Sequence, residues 1–172
     1  MKDYLSQIVA SLGILALSGA AFASYCYWAI DRLPDTMAVH YGPGGTPDRF
    51  SSPTEFGTGM MICGGVVFLL FALISIFLPR LPEGFINLPN RDYWLAPDRR
   101  GQSLASFSNL FLLYGAVTLL FLLFVSRAVV NANLVDIHQP ISITWPLILF
   151  GSASVAFLFL IVSRFSGNDG NA

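Results

Sequence analysis

Long apolar runs alternate with short polar connections along the whole chain, and that alternation predicts the architecture. Residues 8–30, 57–78, 107–126 and 141–163 contain no charged side chain. A helix rises ~1.5 Å per residue, so about 20 residues cross a hydrocarbon layer ~30 Å thick. A backbone in that layer cannot bond to water and must close its own hydrogen bonds as a helix. The pattern therefore predicts an all-α membrane protein, a single integral membrane domain over residues 1–172. It has four transmembrane helices and a short structured extracytoplasmic loop between helices 1 and 2. The run at 8–30 contains Ala21-Phe22-Ala23 followed by Ser24, a small-x-small pattern that a secretory signal would also show. Its length and the aromatics Tyr25, Tyr27 and Trp28 that follow favour a retained helix.

Composition sharpens this reading. Hydrophobic residues make up 55% of the chain and charged ones 11%, about half the charged share of a soluble domain. A net charge of −1 gives no footing for nucleic acid. With four spans, Lys2, Arg80, Arg91, Arg99, Arg100 and Arg164 fall on one side, six of the nine basic residues. Arg32, Arg49 and Arg127 fall on the other. Basic residues favour the cytoplasmic side, which places both termini inside. Trp28 and Trp145 then share the outer interfacial belt. No ionisable residue sits at the middle of a span, which argues against an ion-coupled transporter. Cys26 and Cys63 fall at similar depth; they read as buried free thiols, with a disulfide left open. Gly19 with Ala23, Gly64, Gly65, Gly115 and the run from Gly151 to Ser154 are the small residues expected to pack helix on helix.

The polar chemistry lies in two loops. In the outer loop, Met37, Val39 and Tyr41 alternate with Ala38 and His40, as in a short extended segment. Gly42-Pro43-Gly44-Gly45 forces a turn, and Thr46-Pro47-Asp48-Arg49 returns the chain. Ser52 before Pro53, with Glu55 three residues on, predicts an N-cap that starts the second helix a turn outside the membrane. The bland expectation for this loop is that Asp48 pairs with Arg49 or Arg32 or caps the turn, and that His40 meets a backbone carbonyl. The sharper expectation is an ordered recognition turn. His138 follows Asp136 in the second outer loop, so His40, Asp48, Asp136 and His138 are the low-probability metal candidates. There is no close-spaced histidine pair, so no metal is assigned.

In the inner loop, Asn87-Leu88-Pro89-Asn90 suggests a compact turn, and Tyr93-Trp94-Leu95 suits an anchor at headgroup level. Pro97 is placed at the start of a short helix with Asp98 in its first turn. Arg99 and Arg100 suit anionic lipid or a cytoplasmic partner.

Taken together, the His-Tyr-Gly and Pro-Asp-Arg of the outer loop and the stretch Pro89-Asn90-Arg91-Asp92-Tyr93-Trp94 with Pro97-Asp98-Arg99-Arg100 carry a resemblance. The chain resembles a bacterial membrane domain of unknown function found alone and in SdpI-type toxin-immunity and signalling proteins. The resemblance covers about the first hundred residues and implies a multi-pass protein of the bacterial cytoplasmic membrane. His40, Tyr41, Gly45, Pro47, Asp48, Arg49, Asn90, Tyr93, Trp94, Arg99 and Arg100 are accordingly the candidate partner- or ligand-binding residues. The function expected is non-enzymatic: recognition of a peptide, lipid or protein partner through the outer loop, in a lipid bilayer and without a cofactor. The alternatives are an accessory subunit of a larger membrane complex, or a membrane enzyme with an outer metal site. No nucleophile–base motif, phosphate loop or cofactor motif supports the last.

Overall fold

The computed structural model describes residues 2–167, with side chains from Ser6 onward, so Lys2 of the charge count lies outside the described side chains. The elements run α1 (Lys2–Ile30), β1 (Met37–Tyr41), β2 (Pro47–Ser51), α2 (Pro53–Phe77), two 3-10 turns (Leu78–Arg80 and Glu83–Phe85), α3 (Arg91–Trp94), α4 (Arg100–Val135) and α5 (Thr144–Ser166). Four segments are long and apolar enough to cross a membrane: Ser6–Ile30, Pro53–Arg80, Arg100–Val135 and Thr144–Ser166, of 25, 28, 36 and 23 residues. That is the architecture of a multi-pass membrane protein. The helical reading needs one correction: the loop between α1 and α2 is a two-stranded antiparallel sheet.

The helix limits follow their caps. Ser52 accepts a hydrogen bond from the Glu55 amide at 3.2 Å, and Pro53 takes the first helical position, as the sequence predicts. The Glu55 carboxylate does not close a capping box; it accepts from the Ser51 hydroxyl instead. The third span reaches well past 107–126 at both ends, to Arg100 and Val135, and its flanks pack on other elements: Leu104 in one buried cluster, Val129 and Val130 in another. The inner-loop helix is misplaced in the sequence reading. It lies before Pro97, at Arg91–Trp94, and Pro97–Arg99 form the turn that opens α4.

α1, α2 and α4 make a three-helix unit, with α1 and α2 antiparallel and α4 parallel to α1. The helices meet where glycines leave room. Phe22 of α1 lies so close to Gly64 of α2 that an added Cβ would sit 2.3 Å from the ring. Phe71 occupies the space at Gly115 in the same way, at 2.6 Å. Close backbone approach of this kind replaces the hydrophobic drive that lipid removes. Two buried serines add polar glue: Ser75 donates to the Ser108 carbonyl at 3.3 Å and Ser108 donates back to that of Ser75 at 3.1 Å. The small-residue expectation fails at Gly65 and Gly151, which have open space around them. It also fails for Cys63, which is exposed, whereas Cys26 is buried; both thiols are free.

α5 stands apart. None of its most apolar window is buried, against 22–28% for the other spans. It is fastened to α4 by a ladder of rings running antiparallel along the seam. Phe165 meets Phe107, Phe157 stacks on Tyr114 at 4.3 Å, and Phe150 stacks on Phe121 at 4.4 Å. The Tyr114 and Ser154 hydroxyls share a hydrogen bond of 2.7 Å.

Candidate functional site

The loop between α1 and α2 is a hairpin seated on the end of α4. Met37 is fully buried against Ala29, Val129 and Val130, and Val39 and Tyr41 pack on the same cluster, as the alternation predicts; Ala38, on the other phase, is buried as well. The tip turns where the Gly42 amide donates to the Thr46 carbonyl at 2.8 Å and the Gly45 amide to the Gly42 carbonyl at 3.0 Å. Gly45 has φ +80°, a conformation that L side chains rarely take. Its carbonyl accepts from the Ile141 amide at 2.9 Å, and a Cβ there would lie 1.9 Å from the Ile141 carbonyl oxygen. The turn is therefore ordered and docked on the connection between α4 and α5.

The residue that holds the hairpin was not among the sequence candidates. Asn133, buried near the end of α4, accepts from the Ala38 amide at 2.7 Å and donates to the Ala38 carbonyl at 3.0 Å. Its side-chain amide thus pairs with β1 much as a neighbouring strand would. The same nitrogen reaches the Tyr41 hydroxyl at 3.1 Å and the Val129 carbonyl at 2.9 Å. Burial raises the Tyr41 hydroxyl above the ordinary tyrosine pKa, while the bond to Asn133 pulls the other way. The available signal was a polar residue near the end of an apolar helix, but its partner lies 95 positions away.

On the opposite side the hairpin shows polar groups outward. His40 and Asp48 face each other across the strands, with Nδ1 2.5 Å from Oδ1, both about half exposed. This corrects the expected pairing of Asp48 with arginine. Arg32 is engaged elsewhere, stacked over Trp28 at 4.4 Å and donating to its carbonyl. Gly42 lies against the Asp48 carboxylate, so the turn and the pair fit each other. Arg49 is exposed and forms no ion pair among the described residues. His138 packs edge-on against Phe50, 5.4 Å between centroids, and Asp136 caps the His138 amide at 2.9 Å. The four metal candidates therefore form two separate local pairs. Among the described residues no group of three or more His, Cys, Asp or Glu could hold a metal ion.

The inner motif has a different fate. Trp94 is buried rather than anchored at a lipid surface: its indole donates to the Phe165 carbonyl at 2.8 Å and its ring meets Phe165 edge-on. Asn90, the one non-glycine residue with positive φ among those described, donates to the Ser166 carbonyl at 2.6 Å. Together they satisfy carbonyls at the end of α5 that no helical amide can reach. Arg99 lies over Tyr93 and Arg164 over Trp94, at 4.1 and 5.5 Å. Arg100 donates to the Leu81 carbonyl at 2.7 Å and pairs with Glu83 at 3.4 Å. These residues fasten the inner loop to the helix ends.

Residues 17–62 match a family described only as a domain of unknown function, DUF1648. The matched segment is the C-terminal half of α1, the hairpin and the first turns of α2, so the family resemblance centres on the hairpin. An uncharacterised protein from Archaeoglobus fulgidus is 32% identical over 79 residues, covering 37% of this chain and 43% of that relative. The chain thus matches less than half the length of that protein. No solved structure matches.

Proposed function

We propose that this chain is a non-enzymatic integral membrane protein of the SdpI-type immunity and signalling kind. It recognises a peptide or protein partner with the outward edge of the hairpin, on the extracytoplasmic side of a bacterial cytoplasmic membrane. One observation carries the reading: a hairpin clamped by a buried asparagine and docked at its tip presents His40, Asp48 and Arg49 to solvent. Rigid backbone with exposed polar side chains lowers the ordering cost of binding. A mere connector of this length needs neither clamp nor dock. The orientation follows from the basic-residue count, with both termini cytoplasmic.

The test is native co-purification in mild detergent, followed by identification of what is retained. His40→Ala and Asp48→Ala variants that insert and fold should lose the partner. Retention of every co-purifying protein by both variants would sink the reading. Labelling from outside should reach a cysteine placed at Thr46 and miss one at Asn90.

A second reading, a subunit of a larger membrane assembly, draws on α5, whose span is unburied where the others are partly covered. Stoichiometric membrane partners retained independently of the hairpin variants would favour it. The metal-enzyme reading gains nothing from the two separate His–Asp pairs.

A further inference from the structure

A cleft of about 480 Å³ opens where the hairpin meets the first turns of α2. Its polar wall carries Arg49, Ser51 and Glu55, and its apolar wall carries Val39, Phe56 and Met60. Two features set it apart from the other cavities. It contains a cation and an anion that do not pair with each other: Arg49 has no ion pair among the described residues, and Glu55 accepts only from the Ser51 hydroxyl and makes no ion pair. It also changes character along α2, since Glu55 is the last charge before a run that stays uncharged to Arg80. The polar part therefore sits at headgroup level and the Phe56–Met60 turn at the level where acyl chains begin. Gly59 leaves the space between them open, with no atom within 4 Å of the position of an added Cβ.

We propose that this cleft binds a zwitterionic phospholipid with a primary ammonium, of the phosphatidylethanolamine type, from the leaflet on the hairpin side. The phosphate pairs with the Arg49 guanidinium, whose fork suits phosphate oxygens. The ammonium donates to the Glu55 carboxylate, and the first methylenes lie on Phe56 and Met60. A cavity of this size is in the range of small-ligand sites. A glycerol headgroup offers Glu55 neutral hydroxyls in place of a cation, and a choline headgroup offers it no N–H donor. The two readings share Arg49, but the partner test is carried by His40 and Asp48 and the lipid test also by Glu55 and Gly59, so lipid retention can fail while partner capture persists, and the reverse.

The test is native mass spectrometry of the full chain in a maltoside detergent, titrated with chain-matched phosphatidylethanolamine, phosphatidylcholine or phosphatidylglycerol. One phosphatidylethanolamine per chain should be retained about tenfold better than phosphatidylglycerol, the worth of one charge-assisted hydrogen bond. Arg49→Gln and Glu55→Gln should each lower that retention about tenfold. Gly59→Phe fills open space on the helix, so it should fold and block the cleft; its melting temperature serves as the check. Equal retention of the three lipids, or undiminished phosphatidylethanolamine binding by Gly59→Phe, would overturn the proposal. So would equally tight binding of water-soluble phosphoethanolamine, which would mark a site for a free zwitterion instead.

Discussion

The two ends of this molecule use the same device for different purposes. At the hairpin end, the side-chain amide of Asn133 reaches backbone groups of a distant segment. At the other end, Asn90 and the Trp94 indole do so, on the last carbonyls of α5. The difference lies in what remains free. The inner loop commits its conspicuous residues to packing, with Trp94 in a buried cluster and Arg99, Arg100 and Arg164 each engaged. The hairpin is fixed from beneath by Asn133, Met37 and Ala38, and its tip by Gly45, which leaves His40, Asp48 and Arg49 uncommitted to the fold. A sequence motif can therefore mark a fastening as readily as a site, and only the set of partners tells them apart.

If that contrast is right, breaking the inner fastening should hurt stability most. Trp94→Ala removes a buried ring and leaves the Phe165 carbonyl without its donor. Losses for such truncations run at about 3–5 kcal/mol. Thermal unfolding in detergent should show it, and unchanged stability would return Trp94 to the role of a surface anchor. Next comes Asn133→Leu, which strands the Ala38 amide and carbonyl. An unpaired buried polar group costs about 1–3 kcal/mol; two are stranded, but the hairpin can lift and return part of the pair to water, so a loss of roughly 2–4 kcal/mol follows. Asn133→Asp sharpens the case, because a carboxylate can still accept from the Ala38 amide but cannot donate to its carbonyl.

Smaller still is Gly45→Ala. A left-handed conformation costs an alanine roughly 1–2 kcal/mol, and the new methyl meets the Ile141 carbonyl. The expected result is a tip that lifts, seen as faster hydrogen exchange at the Ile141 amide with the helices unchanged. The smallest stability effect belongs to His40→Ala and Asp48→Ala, for which no measurable change in unfolding is expected. Their effect should fall instead on partner retention, by about tenfold or more, as for residues that dominate an interface. A large stability loss from either would place this pair with the fastenings and erase the contrast.

The four spans were legible because burial in lipid writes a long, one-dimensional signal. The N-cap at Ser52 and the extended Met37–Tyr41 segment were legible for a similar reason, since a few adjacent residues decide them. What escaped was set by partners distant in sequence. Trp94 suits a lipid interface as well as a buried seat, and only Phe165, far along the chain, decides between them. Asp48 had two arginines within reach on paper, yet the cross-strand geometry of the hairpin gives it His40. Asn133 carried only the mark of a polar residue near the end of an apolar helix, and its partner lies 95 positions away. The grouping of His40, Asp48, Asp136 and His138 does not form: His40 takes Asp48, Asp136 takes the His138 backbone amide, and the His138 ring packs on Phe50.

The separation between Asn133 and Ala38 also bears on how the protein is made. During synthesis β1 leaves the ribosome 95 residues ahead of the side chain that clamps it. The hairpin must therefore wait, with the Ala38 backbone groups served by water, until the C-terminal end of α4 has been made. Nascent chains halted before residue 133 should keep a protease-sensitive hairpin, and chains carried past it should gain protection. Protection before that point would mean that α1 and α2 alone suffice to seat it.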